Sequence, residues 1–179
     1  MLLTIVSGLN LDIAEYSIEA DRQFRSLLHE NYAEAWPHIS RDGRWMAYMS
    51  NKSGRHEIYV RPFPEVDSGG PWPISTEGGT QPLWSPNSPE LFYRNGNTVM
   101  AVSIKADSGF SRRKPEPLFS GEYVSGASLL PESAWDISPD GKFLMMKEAG
   151  PTKAADSFPR KIIVVLNCLE ELKQRVPGK

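Results

Sequence analysis

The residues whose types and spacing come closest to a catalytic arrangement are His38, Ser40 and Asp42. A serine hydrolase uses an imidazole, a hydroxyl and a carboxylate, with the serine as nucleophile and the histidine as its base. Triad geometry depends on position in space, however, and adjacency along the chain does not supply it. The sequence also contains no Gly-x-Ser-x-Gly nucleophile elbow. We keep the three as catalytic candidates and interpret them as residues of a strand and of the turn that follows it.

Other chemistry finds less support in the residue types. The histidines are His29, His38 and His56, and no paired His or Cys spacing typical of a metal site is present. Cys168 is the single cysteine, which excludes an intramolecular disulfide. The Gly-rich loop, His-Arg-Asp and Asp-Phe-Gly motifs of kinases are absent from the sequence. We therefore expect no metal and no cofactor.

Composition excludes several classes of partner. The chain has 179 residues with 20 basic and 22 acidic side chains, and this balance disfavours a nucleic-acid-binding function. The apolar run Met1–Val6 is shorter than the roughly 7–15 apolar residues of a signal peptide or the about 20 of a membrane span. We expect no membrane insertion. The compartment stays open, cytoplasmic for the chain as it stands or extracytoplasmic for a longer parent protein.

The elements that position these residues follow from an internal repeat. Three segments align without a gap, and they are Trp36–Tyr48, Gln81–Tyr93 and Ala134–Met146. Each reads as a short strand, then a turn of the type Ser-(Arg/Pro)-(Asp/Asn)-(Gly/Ser), then a second apolar strand. The anchor serines Ser40, Ser85 and Ser138 lie at intervals typical of β-propeller blades, which repeat about every 40–50 residues.

We predict an all-β fold, a β-propeller segment of about four four-stranded blades, two of them incomplete. The single domain spans 1–179, with a partial blade at 1–30, blades at 31–76 and 77–120, a partial blade at 130–167 and a C-terminal helix at 168–176. The last partial blade takes Lys161–Leu166 as its third strand. Open blades expose strand edges, so we expect ring closure within the chain or with a second copy in a two-fold dimer.

The segment Ser40–Phe63 closely resembles the TolB-like, WD-type propeller repeat. More narrowly, Tyr59–Pro64, Leu91–Gly96 and Leu166–Pro177 resemble the C-terminal propeller found behind bacterial serine/threonine kinase domains. The resemblance covers the chain from about Leu11 onward. Departures from the repeat include Arg41 in place of proline, Asn87-Ser88-Pro89 in place of Asp-Gly-Arg, and Cys168 in place of an aromatic residue.

Function is predicted chiefly from the loops. Gly121–Ser133 and Glu148–Pro159 are longer than most connections in compact domains, and loops on one face of a propeller usually form its binding surface. The candidate binding-surface residues are Tyr32, Glu34, Tyr123 and Ser125. We expect a non-catalytic binding or sensor module for a protein, a peptide or a small ligand. The alternatives are a hydrolase of esterase or peptidase type, with its site in the channel or at a dimer interface, and a detached fragment of a kinase-linked protein.

Overall fold

The computed structural model describes residues 1–7, 10–17, 23–106, 109–124 and 134–147. All of them belong to the first of two compact units, Met1–Glu148, and the second unit is Ala149–Lys179. The strand predicted at Lys161–Leu166 and the helix predicted at 168–176 therefore lie outside the described residues. The blade boundaries given above remain predictions.

The described residues form 14 β-strands in four antiparallel sheets, which confirms the predicted all-β class. The first sheet consists of β1 (Leu2–Ser7), β2 (Asn10–Tyr16) and β3 (Phe24–Leu28). The second consists of β4 (Glu34–Ile39), β5 (Trp45–Ser50), β6 (Glu57–Pro62) and β7 (Trp72–Pro73). The third consists of β8 (Thr80–Trp84), β9 (Glu90–Asn95), β10 (Thr98–Lys105), β11 (Ser111–Arg112) and β12 (Glu116–Ser120). The fourth consists of β13 (Trp135–Ile137) and β14 (Phe143–Met145).

The sheets stack face to face, and β5 illustrates why its sequence is apolar throughout. Successive side chains of a strand point to opposite faces of its sheet. Met46 and Tyr48 pack into the core between the first and second sheets, whereas Ala47 and Met49 pack into the core between the second and third. All four are at most 1% exposed. A strand buried on both faces thus supplies two cores at once.

The third sheet follows the same rule through β9. Leu91 and Tyr93 face the second sheet, while Phe92 joins the core between the third and fourth sheets. That last core also holds Val99 of β10 and Trp135 of β13. Because alternate residues of a strand share a face, Arg94, two positions after Phe92 on β9, faces the fourth sheet as well.

The innermost strands of the second and third sheets share an irregularity. Trp36 in β4 and Gln81 in β8 occupy equivalent repeat positions, and both have φ of 51°. Each precedes a proline, and the pairing with the neighbouring strand shifts at that point. Such a β-bulge redirects the residues that follow it. Nothing in the residue types indicates it, because left-handed backbone is unusual for tryptophan and glutamine.

The three repeated turns lie together at one end of the sheets. Residues at the C-terminal ends of β4, β8 and β13 line one common cleft, so these inner strands run in the same direction. We call this the turn end, defined by the turns that begin at Ser40, Ser85 and Ser138. The opposite end, where the inner strands begin at Glu34, Thr80 and Trp135, is the start end.

Two departures from the repeat hold successive turns together. Arg41 Nη1 donates to the carbonyl of Pro86 at 2.8 Å, which joins the first turn to the second. Asn87 Nδ2 donates to the carbonyl of Pro139 at 2.9 Å, which joins the second turn to the third. Proline at the first position and aspartate at the second, the residues the repeat would have there, carry no donor for these bonds. The deviating residues therefore have a structural role.

Replacing Asn87 with the residue typical of the repeat should weaken the fold. Asn87→Asp puts a carboxylate against the Pro139 carbonyl and removes the donor, so we expect the free energy of unfolding to fall by about 1 kcal/mol. Urea denaturation measures this. Asn97→Asp, at an exposed hairpin residue, is the matched control and should change the value by less than about 0.5 kcal/mol. Equal effects of the two substitutions would contradict the bridging role.

Candidate functional site

Ser40 and Asp42 are brought together, as a turn brings them. Ser40 Oγ donates to Asp42 Oδ1 at 2.6 Å and accepts the backbone N–H of Trp45 at 3.0 Å. Asp42 also accepts Arg44 Nε at 2.6 Å. Burial pushes the pKa of Asp42 upward, but the hydrogen bonds from Ser40 and Arg44 outweigh it and hold the pKa below its usual range. The Ser40 hydroxyl therefore donates its proton to a hydrogen bond within the turn.

The same pair recurs in the third repeat. Ser138 Oγ donates to Asp140 Oδ1 and accepts the backbone N–H of Lys142 at 3.0 Å. Hydrogen bonds from Lys142 and Ser138 lower the pKa of Asp140. A contact that is repeated at equivalent positions of two sheets is explained by the turn, without a reaction.

His38 is bonded to the neighbouring sheet. Its Nδ1 accepts the backbone N–H of Trp84 at 3.0 Å, and its carbonyl accepts Trp84 Nε1 at 3.1 Å. An accepting Nδ1 carries no proton, so the ring is neutral with its proton on Nε2. Burial lowers the pKa of His38, although the charge of Asp136 opposes this, and both effects act on one half-buried imidazole. The hydrogen bonds of His38 and of Ser40 go to different partners.

A cleft of about 420 Å³ lies at the turn end. It is lined by side chains of the three inner strands and their turns, including His38, Trp84, Asn87 and Asp136. Arg41 and Asn87 are engaged in the bridges between turns, and Asp136 Oδ1 accepts the N–H of Ile137 at 2.8 Å. The polar groups here are therefore largely used by the fold itself.

The start end contains buried acids with unsatisfied oxygens. Glu34, the first residue of β4, and Asp12 of β2 are each 1% exposed. Asp12 Oδ2 is within 2.6 Å of His29 Nδ1, while Asp12 Oδ1 and Glu34 Oε2 have no hydrogen-bond partner in the described part of the chain. Burial, with the charges of Glu30 and Asp12 adding to it, raises the pKa of Glu34 to about 7. Two carboxyl groups thus lie close together away from water.

Tyr32 belongs to the same region. It is partly buried, and burial followed by the charges of Glu30 and Glu34 raises its pKa. Two of the candidate binding-surface residues, Tyr32 and Glu34, are therefore neighbours. Asp12, whose charge acts on Glu34, was missed by the sequence analysis. The signal was present, because Asp12 interrupts the apolar run Leu11–Ala14.

Tyr123 lies beside a second buried charge. The Cζ atom of Arg94 is 5.8 Å from the centre of the Tyr123 ring. Arg94 is 2% exposed, and its Nε and Nη1 have no hydrogen-bond partner within the described ranges. Arg94 pairs across the sheet with Thr80, the first residue of β8, so it lies at the start end. The sequence analysis missed Arg94, and the last binding-surface candidate, Ser125, lies outside the described residues.

In the part of the chain that the structure describes, no three His, Cys, Asp or Glu side chains are grouped so that they could hold a metal ion. The same residues include no helix with the length and hydropathy needed to span a membrane.

The raised pKa of Glu34 predicts a pH dependence of stability. Between the ordinary carboxyl pKa of 4.5 and about 7, the folded protein binds a proton at Glu34 that the unfolded chain releases. The contribution of the neutral group is complete below pH 4.5 and is lost as the pH rises through 7. From pH 4.5 to pH 8 the free energy of unfolding of wild type should therefore fall by about 3 kcal/mol relative to that of Glu34→Gln, as measured by urea denaturation. The exposed Glu65→Gln is the control, and parallel pH curves for wild type and Glu34→Gln would contradict the assignment.

Comparison with known proteins identifies the fold. No family model and no curated protein sequence matches the chain. A solved structure of a protein assigned as TolB from Agrobacterium tumefaciens is similar with a TM-score of 0.51 and 21% sequence identity. The match covers 66% of this chain and 44% of that one, so the chain spans less than half the length of its structural neighbour. The similarity agrees with the stacked antiparallel sheets, and the chain has the fold of a TolB-like β-propeller segment.

Proposed function

We propose that the chain is a non-catalytic binding module that takes a protein, a peptide or a small ligand at the start end. The observation that carries this proposal is the set of buried ionisable groups there whose atoms lack partners among the described residues, namely Asp12, Glu34 and Arg94. Buried polar groups in native proteins nearly always have partners, and an unpaired charge costs more than an unpaired neutral group. A ligand that supplies the missing partners would offset this cost.

The chemistry at Glu34 favours a cationic group. An ammonium group has only donors, and the unsatisfied atoms of Asp12 and Glu34 are acceptors. A positive charge bound there would also lower the pKa of Glu34, which burial, followed by the charges of Glu30 and Asp12, now raises. Binding of an ammonium group should therefore strengthen as the pH rises through about 7, when Glu34 loses its proton.

The hydrolase alternative draws less support from the geometry. A nucleophilic serine needs its proton directed at a base. Ser40 Oγ donates to Asp42 within its own turn, and His38 Nδ1 accepts a backbone N–H from Trp84. These contacts favour a structural role for all three catalytic candidates.

We also propose, from the resemblance, that the chain is the propeller of a kinase-linked bacterial protein. We further propose that the free edge of β1 is completed by another strand. Among the described residues β1 pairs with β2 alone, and Val6 at its end is 69% exposed. An unpaired apolar edge is a site for strand addition, here from the ring itself or from a second copy of the chain. Gel analysis of the native protein in its source cells and light scattering of the isolated chain test both ideas. A native product of 179 residues would contradict the first idea, and a monomer whose β1 edge stays unpaired would contradict the second.

Binding at Glu34 is tested with a matched pair of peptides. The tripeptide Ala-Ala-Ala amide carries a free amino terminus, and its N-acetyl form does not. Titrated into ¹⁵N-labelled chain at pH 8, the free-amine peptide should cause saturable shifts of the backbone resonances around Glu34, and the acetylated form should not. Glu34→Gln should lower the affinity at least about tenfold, since a hydrogen bond to a charged group is worth about 1.5–3 kcal/mol.

Glu65→Gln, at an exposed site, is the control and should bind like wild type. Identical responses to the two peptides, or no response at the start end, would contradict an ammonium site at Glu34.

A further inference from the structure

Arg94 is the most completely buried cation among the described residues, with 2% exposure. Its Nη2 donates to the carbonyl of Gly96 at 2.9 Å, but Nε and Nη1 are buried without an acceptor among the described residues. Alternation along β9 places its side chain between the third and fourth sheets, on the same face as Phe92. Two of the three guanidinium nitrogens are thus withdrawn from water and left unsatisfied.

A guanidinium cannot escape this cost by losing its proton, because its pKa stays far above neutral in proteins. Burial lowers the pKa of Arg94, and among the residues that the structure describes the Tyr123 hydroxyl is the one titratable group that opposes this effect. No carboxylate of the described residues contributes to the pKa of Arg94. The charge is therefore present and lacks a counter-charge in the described part of the chain.

Arg61 on β6 shows what a partnered arginine looks like in this fold. Its Nε donates to the Tyr48 hydroxyl at 3.1 Å, and its Nη1 lies 3.4 Å from Asp67 Oδ1. The same sheet architecture thus satisfies one inward-facing arginine and leaves another unsatisfied.

We propose that Arg94 is the recognition residue of a carboxylate-binding site at the start end, between the third and fourth sheets. A carboxylate provides acceptors for Nε and Nη1 and carries the single negative charge that one guanidinium balances. A phosphate group carries about −1.5 to −2 charge at neutral pH and would leave part of it uncompensated. The Tyr123 ring, 5.8 Å from the guanidinium carbon, would pack against the apolar part of the ligand. The inference rests on the proposed binding function and names a ligand group for it.

An internal carboxylate is the competing occupant. The segment 125–133 follows Tyr123, lies outside the described residues, and contains one acid, Glu132. A pair between Arg94 and Glu132 would be part of the fold, and a ligand carboxylate would then have no role. An internal pair predicts that Arg94→Met lowers the ligand-free thermal midpoint, whereas a ligand site predicts no fall, so the two cases are separable.

The test uses N-acetylglycine as the probe and N-acetylglycinamide, which lacks the carboxylate, as its matched control. At constant ionic strength the acid should move the side-chain Nε–H resonance of Arg94 saturably in ¹⁵N-labelled protein, and the amide should not. Arg94→Lys assigns that resonance by removing it. The acid should also raise the thermal midpoint by about 2 °C or more at saturation, while inorganic phosphate should have a smaller effect.

The thermal midpoints of variants distinguish a ligand site from an internal pair. Arg94→Met should abolish the rise in midpoint caused by the acid and should leave the ligand-free midpoint unchanged or higher, because an unpaired buried charge has been removed. Arg113→Lys, an exposed arginine, is the control and should respond to the acid like wild type. Equal falls in the ligand-free midpoint for Arg94→Met and Glu132→Gln would establish an internal pair and overturn the proposal.

A failure here is distinguishable from a failure of the proposed function. If the Ala-Ala-Ala amide binds at Glu34 and N-acetylglycine leaves the Arg94 resonance unmoved, the carboxylate site is wrong and the binding module stands. If neither probe binds, both are wrong. The resonance measurement is made on the wild-type chain, where through-bond correlations to the Arg94 backbone also assign the peak, so the test stays decisive even where a variant fails to fold.

Discussion

The structure depends on one packing constraint, which is that a single strand must fill two cores. β5 and β9 each direct alternate side chains to the sheets on either side, so nearly every position of these strands is buried. Sheets stacked in this way lie about 10 Å apart, and side chains occupy all of the space between them. A polar residue on such a strand therefore has no route to water.

This constraint explains why charged residues at strand positions become significant. Met49 and Arg94 occupy equivalent places in the first and second repeats, and both face a core. The methionine packs there without cost, whereas the guanidinium loses its hydration. Asp12 on β2 is in the same situation, with one oxygen bonded to His29 and the other unsatisfied. Charges held in this way stabilise a fold only when something pairs with them.

The two ends of the sheets use their polar groups differently. At the turn end Arg41 and Asn87 bridge successive turns, Ser40 and Ser138 close their own turns, and His38 links two sheets. These groups are occupied in holding the fold. At the start end the groups around Glu34 and Arg94 are not, and this contrast is what places the proposed ligand there rather than in the cleft beside His38.

The amino-acid sequence alone determined the all-β class and the repeated Ser-Asp turns, because turn chemistry and strand alternation are local properties. Only the tertiary structure decided that the backbone N–H of Trp84, 46 residues away, donates a hydrogen bond to His38. It also decided that Asp12 and Arg94 are buried without full partners, and that Trp36 and Gln81 form bulges despite not being glycines. The physical reason is that an atom's hydrogen-bond partner depends on which sheets stack against each other, and stacking joins residues far apart in the chain.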